Sequence, residues 1–535
     1  MKTKTKFVLK RVALGVGLTI TATALTSALI YKFKKPFKPT FYNYKSYISP
    51  NSRSIISEKF DFKEFETIGE FTKALLTEKA IGGIGSDAQS VQLIKRNKLK
   101  RIDYVKLFYK NTPQWAQGKT FEQYRKLDEY KKMQREIYTK LVWDHLSYYD
   151  EVLKTDLNDQ PWEDDEPKHL YDYFIPYFSQ DMVIAYNPTK LDTELKNASI
   201  DTVEKRKKLY ELDSKVLNQL ANHGFNANKT KDQKDVMFVD VLQSLKQNNY
   251  TRWELTDSVR DNMIYGSGYQ NAIQTGEAST KQEPKLYERL IDQFAALIKD
   301  GIGYNLTSSN LQLSGNGLLL LSNLIDLNSN VQAGIIYNGD AYDAYDSLDN
   351  FQNVQPGTIR FIRPKQNLLL IDGLVITNSD KVNDKFYDEM LDNVKRSFMS
   401  GLQFDENEVR TWENVNDETI ESYTAYENFT EVAYTPVFKV LYDYVIENDF
   451  NVEEYETLDD DENTKILKSK EKLEQDQYEA QYSKQLLEIK DAYDIVDPLT
   501  GETLLSYKVN HTAIVPTDQK TDTNLTTYWN KKTRN

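Results

Sequence analysis

The 535-residue chain contains no cysteine. Disulfides, thiolate metal sites, thiol catalysis and attachment of a lipid to a cysteine are therefore excluded. Histidine is nearly absent as well: His145, His169, His223 and His511 lie far apart, and none has the spacing of a metal or catalytic pair. There is no Gly-x-Ser-x-Gly elbow to carry a serine nucleophile. Asp156-x-Asn158 starts like a calcium loop, but Pro161 stands where such a loop needs glycine. These absences argue against an enzyme, and no cofactor or metal is expected. Basic charge is also in deficit. Residues 1–40 hold nine of the 68 basic residues and no acid, so the rest carries 59 basic against 81 acidic residues, a net −22. Such a body should not bind nucleic acid. Its field repels phosphates and enriches cations near the surface.

Long apolar runs are missing too, with one exception. Lys2, Lys4, Lys6, Lys10 and Arg11 precede an almost unbroken apolar or small-residue run from Val12 to Tyr31, which is followed by Lys32, Lys34, Lys35 and Lys38. The run is an export signal or a membrane anchor. Its length matches a bilayer core and favours an uncleaved anchor, while Thr26-Ser27-Ala28 is compatible with cleavage. Five cations before the helix against four after it favour a cytoplasmic N-terminus and an exported body.

What is present is a chain long enough for two lobes, reading as alternating strands and helices. Thr40–Pro50 reads as a strand and loop. Residues 66–103 read as a helix through Phe71 and Leu76, a short segment ending at Ile81–Ser86, and a second helix with Val91, Leu93 and Ile94. Gly83-x-Gly85-x-x-Ala88 loosely matches a dinucleotide fingerprint, but the strand before it is short and polar, so a tight strand-to-helix turn is the main reading. Residues 120–153 have a helical pattern and 154–167 form an acidic loop. Tyr173–Asn187 holds two apolar runs joined by a polar step, which suggests a crossing between lobes. Residues 190–235 are charged and largely helical. Trp253–Asp261 begins as a strand and then offers Thr and Asp as helix caps. Residues 284–299 form an amphipathic helix, and 383–399 another. Asn428–Pro436 reads as a turn, and 451–492, with Asp459–Glu462, as a solvated insertion.

Gly334–Asp346 is the richest stretch. Val331, Ala333, Ile335 and Ile336 lead to Asn338-Gly339, a strong turn signal, so a strand should end near Tyr337. In open α/β sheets ligands sit beyond the carboxyl ends of strands, where Tyr337 and Asp340 fall. An aromatic face attracts an ammonium group by roughly 0.5–2 kcal/mol and a charged hydrogen bond adds about 1.5–3, so a few such groups would hold a small organic cation. A hairpin with solvated acids is the simpler alternative. Within the apolar run Leu368–Ile376, Asp372 is an acid that is costly to bury unpartnered. Backbone donors satisfying it are the structural alternative.

In this order the segments resemble the spermidine/putrescine-binding proteins, the extracytoplasmic receptors of polyamine ABC transporters. Phe41-Tyr42-Asn43-Tyr44-Lys45-Ser46-Tyr47 is similar to that family's opening strand and loop, Gly85-Ser86-Asp87 to its next loop, and Ile175-Pro176-Tyr177 with Ile184-Ala185-Tyr186-Asn187 to its interlobe crossing. Trp253–Asp261 resembles a Leu-Thr-Asp-Asp-x-Arg-Glu segment. Tyr337-Asn338-Gly339-Asp340-Ala341 resembles Trp-Asn-Gly-Asp/Ser-Ala, and Leu370–Leu374 resembles Trp-x-Asp-Ser-Leu. The resemblance implies an α/β, two-lobed, type II periplasmic-binding-protein-like fold with an N-terminal transmembrane helix and helical insertions. It divides the chain into a signal or anchor (1–39), lobe one (40–178 with 372–440), lobe two (179–371 with 495–535) and a charged insertion (441–494). Carried over, Asp261 and Asp372 would bind amines, Tyr44, Tyr47, Tyr337 and Tyr434 would supply aromatic faces, and Ser86 a polar contact. Leu370 stands in place of a tryptophan, Ala88 of an aromatic and Ser258 of an acid. Lys45 and Ser46 replace Thr and Glu, and Lys45 would oppose a polyamine unless it points away. The implied partners are a polyamine, an ABC permease with its ATPase, and the membrane through the N-terminal helix. The implied location is the cell membrane, with the body extracytoplasmic. The alternatives are the same fold with another solute, such as a thiamine-like cation or a peptide, and a surface interaction or adhesion protein.

Overall fold

The computed structural model describes residues 38–534 except 159, 165, 197–199, 201, 223–234, 272, 347–355, 405–419, 421 and 458–464. The apolar run 12–31, the end of the 190–235 segment and the acidic run 459–462 lie outside the described residues. Among the described residues, no helix is long and apolar enough to cross a membrane.

Among the described residues, eleven of the strands β1 (Thr40–Tyr44), β2 (Asp61–Phe65), β3 (Ala80–Ser86), β4 (Ile175–Gln180), β5 (Met182–Tyr186), β6 (Trp253–Thr256), β7 (Leu311–Ser314), β8 (Ala333–Tyr337), β9 (Arg360–Ile362), β10 (Gln366–Leu368), β11 (Leu370–Ile376) and β12 (Thr435–Pro436) build two sheets, all but β10. The first sheet has the order β12-β4-β11-β3-β1-β2 and the second β7-β6-β8-β5-β9, while β10 pairs with the strand Asn510–Thr512. The chain passes from the first sheet to the second at Gln180-Asp181-Met182, and returns between β10 and β11.

Register puts the two functional edges in place. β1 and β3 run parallel, and β11 runs antiparallel to both β3 and β4, pairing Asp372 with Ser86 and Leu370 with Gln180. Tyr44, Ser86, Gln180 and Asp372 therefore share the edge where β1, β3 and β4 end. In the second sheet β6, β7 and β8 are parallel and β5 is antiparallel to β8, pairing Met182 with Tyr337. Tyr337 and Thr256 thus lie at the corresponding edge, one residue from the crossing.

Each sheet is buried by its period-two pattern. In β5, Met182, Ile184 and Tyr186 join a core with Trp253, Leu255, Phe294 and Leu297, whereas Val183 and Ala185 face a smaller core with Leu320, Leu324 and Tyr345. The core of the first sheet gathers Phe41, Ile84, Val91, Phe178, Ile371 and Leu374. Pro176 in β4 lies opposite Gly373 of β11, where the register shifts between Asp372 and Gly373, and such irregularities are places where a sheet tolerates proline. The glycines of β3 serve close strand packing rather than a phosphate loop. A Cβ on Gly83 would lie 2.2 Å from the Tyr42 carbonyl, and one on Gly82 would lie 2.7 Å from that of Val375.

Four expectations are corrected. Asn338-Gly339 is not a turn, because the helix Asn338–Asp346 follows β8 directly. Asn428–Pro436 is not a turn either: the helix Thr424–Val432 runs into left-handed Ala433 and then β12. The helix Val259–Ser267 starts from Ser258 at its N-cap, and Thr256 instead accepts from the Ser258 N–H. The stretch 451–492 is not merely solvated. Its helix Lys470–Leu487 carries Glu479 into a buried pair with Arg360 at 2.6 Å, where Tyr210 also donates to Glu479 at 2.6 Å and the Tyr482 ring lies 4.8 Å under the guanidinium.

Removing the carboxylate nearest Arg360 leaves that buried guanidinium only Asp213, at 3.7 Å, and breaking a buried pair in this way costs up to about 3–5 kcal/mol. Glu479→Gln should therefore lose about that much stability in urea denaturation, measured beside Glu474→Gln on the exposed face of the same helix. Equal midpoints for the two variants would return Glu479 to the solvated reading.

Candidate functional site

The first-sheet edge assembles five of the residues picked out in the sequence. β1 ends at Tyr44, and the turn through Ser46, with φ of 54°, brings Tyr47 back against it, so their rings meet at 5.4 Å, edge to face. The Tyr47 hydroxyl donates to Asp372 Oδ2 at 3.0 Å, and burial together with the Asp372 charge raises the pKa of the neighbouring Tyr44 hydroxyl. Tyr434, placed by the left-handed Ala433, packs its ring 5.3 Å from that of Tyr47. Ser86 sits beside Asp372 in register, but its hydroxyl is engaged as the N-cap of the helix Asp87–Lys95, accepting from the Gln89 N–H. Lys45 turns outward to Glu66 at 3.5 Å and so does not oppose a cation in the cleft.

The second-sheet edge holds the other two. Tyr337, the last residue of β8, donates to Asp261 Oδ2 at 2.6 Å, and Asp261 is 2% exposed in the first turn of its helix. Asp257, four residues earlier, is occupied structurally by the Trp529 indole at 2.6 Å and by Arg534.

One contact spans the two edges. The Tyr434 hydroxyl donates to Asp340 Oδ1 at 2.5 Å, and the Tyr434 ring lies so close over Gly339 that a Cβ there would sit 2.0 Å from it. Gly339 is thus required by close approach rather than by a turn.

The electrostatics of the three acids are alike. Burial pushes the Asp372 carboxyl up to about 7, opposed by donation from Tyr47, reinforced by the nearby Asp87 charge and opposed again by Tyr44 and Gln180. Burial likewise pushes Asp340 up to about 6, against its bond from Tyr434, and raises Asp261 against its bond from Tyr337. Their hydrogen-bond partners are tyrosine hydroxyls and an amide rather than ammonium or guanidinium groups. Acids held in this way, beside aromatic faces, suit a bound cation. No nucleophile–base pair is among these residues.

Sequence reasoning missed three neighbours. Asp87 is fully buried and meets His145 Nε2 at 2.5 Å, a pairing across 58 residues that no local spacing announces. Gln180 donates to Asp372 Oδ2 at 3.1 Å; the polar step after Phe178 was the visible signal. Tyr265, one helical turn after Asp261, is buried with an unpartnered hydroxyl, and its i,i+4 spacing from Asp261 could have found it.

A family model described as a hypothetical lipoprotein (MG045 family) matches residues 1–515, and the chain belongs to that family. Comparison with curated proteins gives no match. Among solved structures, the spermidine/putrescine ABC transporter substrate-binding protein PotD of Streptococcus pneumoniae has a TM-score of 0.38 at 14% identity, covering 76% of this chain and 93% of that one. UgpB of Mycobacterium tuberculosis, in complex with glycerophosphocholine, has a TM-score of 0.41 at 12% identity, covering 76% and 84%. Iron-bound HitA of Pseudomonas aeruginosa has a TM-score of 0.37 at 10% identity, covering 76% and 87%.

A carboxyl that titrates near 7 when folded, against about 3.9 when unfolded, holds a proton that unfolding releases. Its contribution to stability is present at about pH 4 and is lost as pH rises toward 7. Asp372→Asn should therefore raise the melting temperature by a few degrees at pH 8 and by almost nothing at pH 4.5. A variant less stable than wild type at pH 8 would show that Asp372 supports the fold instead of straining it.

Proposed function

We propose that this member of the hypothetical lipoprotein family is an extracytoplasmic solute receptor that binds a small polyamine-like cation between two lobes and hands it to an ABC permease and its ATPase. The observation that carries this reading is the pair of tyrosine–carboxylate clusters, Tyr44, Tyr47 and Asp372 on one sheet edge and Tyr337 and Asp261 on the other, linked by Tyr434 and Asp340. Two acids on separate edges match a ligand with separated positive charges. Tyrosine rings match its alkylammonium groups, and a body of net −22 beyond residue 40 raises the local concentration of cations.

In this reading lobe one comprises 40–178 with 372–440, and lobe two 179–371 with 495–535. Segment 441–494 is fastened to lobe two through Arg360 and Arg363. Attachment to the membrane falls to Val12–Tyr31, since the chain has no cysteine on which a lipid could be placed. Ser86 takes a supporting role beside Asp372, and Tyr434 closes the cleft.

The test is calorimetric titration of the full-length chain with putrescine, spermidine and spermine at low and physiological salt. Wild type should bind at least one of them at micromolar concentration or tighter at both salt levels, and Asp261→Asn and Asp372→Asn should each weaken binding at least tenfold. Affinity should also fall as pH drops below about 7, where Asp372 takes up a proton that the cation must displace. Amine binding left intact in both variants would overturn the site assignment.

A further inference from the structure

Gln180 occupies a position in the cleft that charge and aromaticity leave unexplained. It ends β4, is 6% exposed, and its Nε2 donates to Asp372 Oδ2 at 3.1 Å and reaches the Tyr47 hydroxyl oxygen at 3.5 Å. Its Oε1 has no hydrogen-bond partner among the described residues. An ionised carboxylate only accepts, so with Asp372 ionised the amide must turn its NH₂ toward that carboxylate and leave its carbonyl facing away. Buried carbonyls are normally satisfied, and this one sits beside two groups that cannot satisfy it. Asp372 brings no proton when ionised, and the Tyr47 hydroxyl is already donating to Asp372. When a bound cation holds Asp372 ionised, the missing partner is an N–H that arrives with that cation.

We propose that Gln180 reads the hydrogens of the ammonium group that Asp372 holds, with one N–H donated to the carboxylate and a second to Gln180 Oε1. The inference rests on the cation-receptor reading above and narrows its ligand class to cations with a primary ammonium end. A primary ammonium carries three donors; a quaternary ammonium carries the same charge and none. The rings of Tyr44 and Tyr47 respond to charge, which both possess, whereas Asp372 and Gln180 each accept an N–H that the quaternary group lacks. Gln180 adds the second of these two discriminating bonds. Register supports the role, because Gln180 lies opposite Leu370, which places its side chain one strand from Asp372 on the shared edge.

The experiment titrates full-length wild type, Gln180→Met and Gln180→Leu with putrescine and with its hexamethylated form, 1,4-bis(trimethylammonium)butane, which keeps charge and carbon spacing but has no N–H. Methionine is close to glutamine in length and volume, so it removes the amide without opening the site. Wild type should prefer putrescine at least tenfold. Gln180→Met should lose about tenfold in putrescine affinity and leave the methylated compound unchanged, so that the preference narrows about tenfold, and Gln180→Leu should repeat the result if either variant is perturbed in folding. Equal binding of both compounds by wild type, or a preference undiminished in both variants, overturns the role of Gln180 while leaving a cation receptor standing. Failure of wild type to bind either compound overturns the receptor reading, and this inference with it.

Discussion

The architecture depends on how one buried carboxylate is neutralised at the point where the chain leaves the first sheet. Asp181 is the polar step between two apolar strands and is wholly buried. It receives Arg363 in a two-bond fork at 2.6 and 3.0 Å and His511 at 3.0 Å. A carboxylate there without its guanidinium would be strongly unfavourable, so Arg363 must stand at the crossing, and the chain around it follows. Arg363 in turn donates to the carbonyls of Gln485 and Leu486, fastening the end of the helix Lys470–Leu487. Asn338 exchanges backbone and side-chain bonds with Asp181 and reaches Thr435 of β12. Strands from both sheets and a helix far along the chain thereby converge on one residue. Because side chains alternate along a strand, fixing Asp181 toward Arg363 turns Gln180 the other way, toward Asp372. The constraint that joins the sheets also orients the first polar group of the cleft.

The three buried acids at the sheet edges oppose that stability. Asp372, Asp340 and Asp261 are removed from water, and their bonds come from neutral donors, which only partly offset the loss of hydration. Tyrosine suits this purpose where the resembled family often has tryptophan. Tyr44 and Tyr337 keep an aromatic face and add a hydroxyl aimed at the acid, so that each carboxylate is held in place but not neutralised. A lysine or arginine at either position would have neutralised the acid and, in the proposed receptor, would fill the place of the cation.

Much of this was legible in the chain because it was local. Two apolar runs around a polar step gave the crossing, the β-branched run before Asn338 gave the end of β8, and an acid inside Leu368–Ile376 marked Asp372. What escaped was set by partners distant in sequence. Asn338-Gly339 has the composition of a turn, yet Asn338 is bound to Asp181 and Gly339 is needed for the approach of Tyr434, ninety-five residues later. Glu479 lies in a run so rich in Lys, Glu and Gln that the period of its buried face is hidden, since that face is made of tyrosines and an acid. Asp87 gave no sign of His145. The cap at Ser258 was passed over for a neighbouring threonine whose hydroxyl serves the turn before the helix.

The bond from Tyr434 to Asp340 connects these themes. It crosses between the two edges using the same kind of donor that holds Asp372 and Asp261, so the protein closes on itself with the chemistry it would offer a ligand. A ligand biases such an equilibrium only by the difference between its interactions with the closed and open forms. For the receptor proposed above, a cation touching one edge alone would change nothing. One that reaches Asp372 on the first edge and Asp261 or Asp340 on the second gains contacts that exist only when the edges meet, and it relieves the burial of acids that closure would otherwise leave to tyrosines. In the receptor proposed above, selection for two separated positive charges would follow from the closing step itself, before any contact with the middle of the ligand is counted.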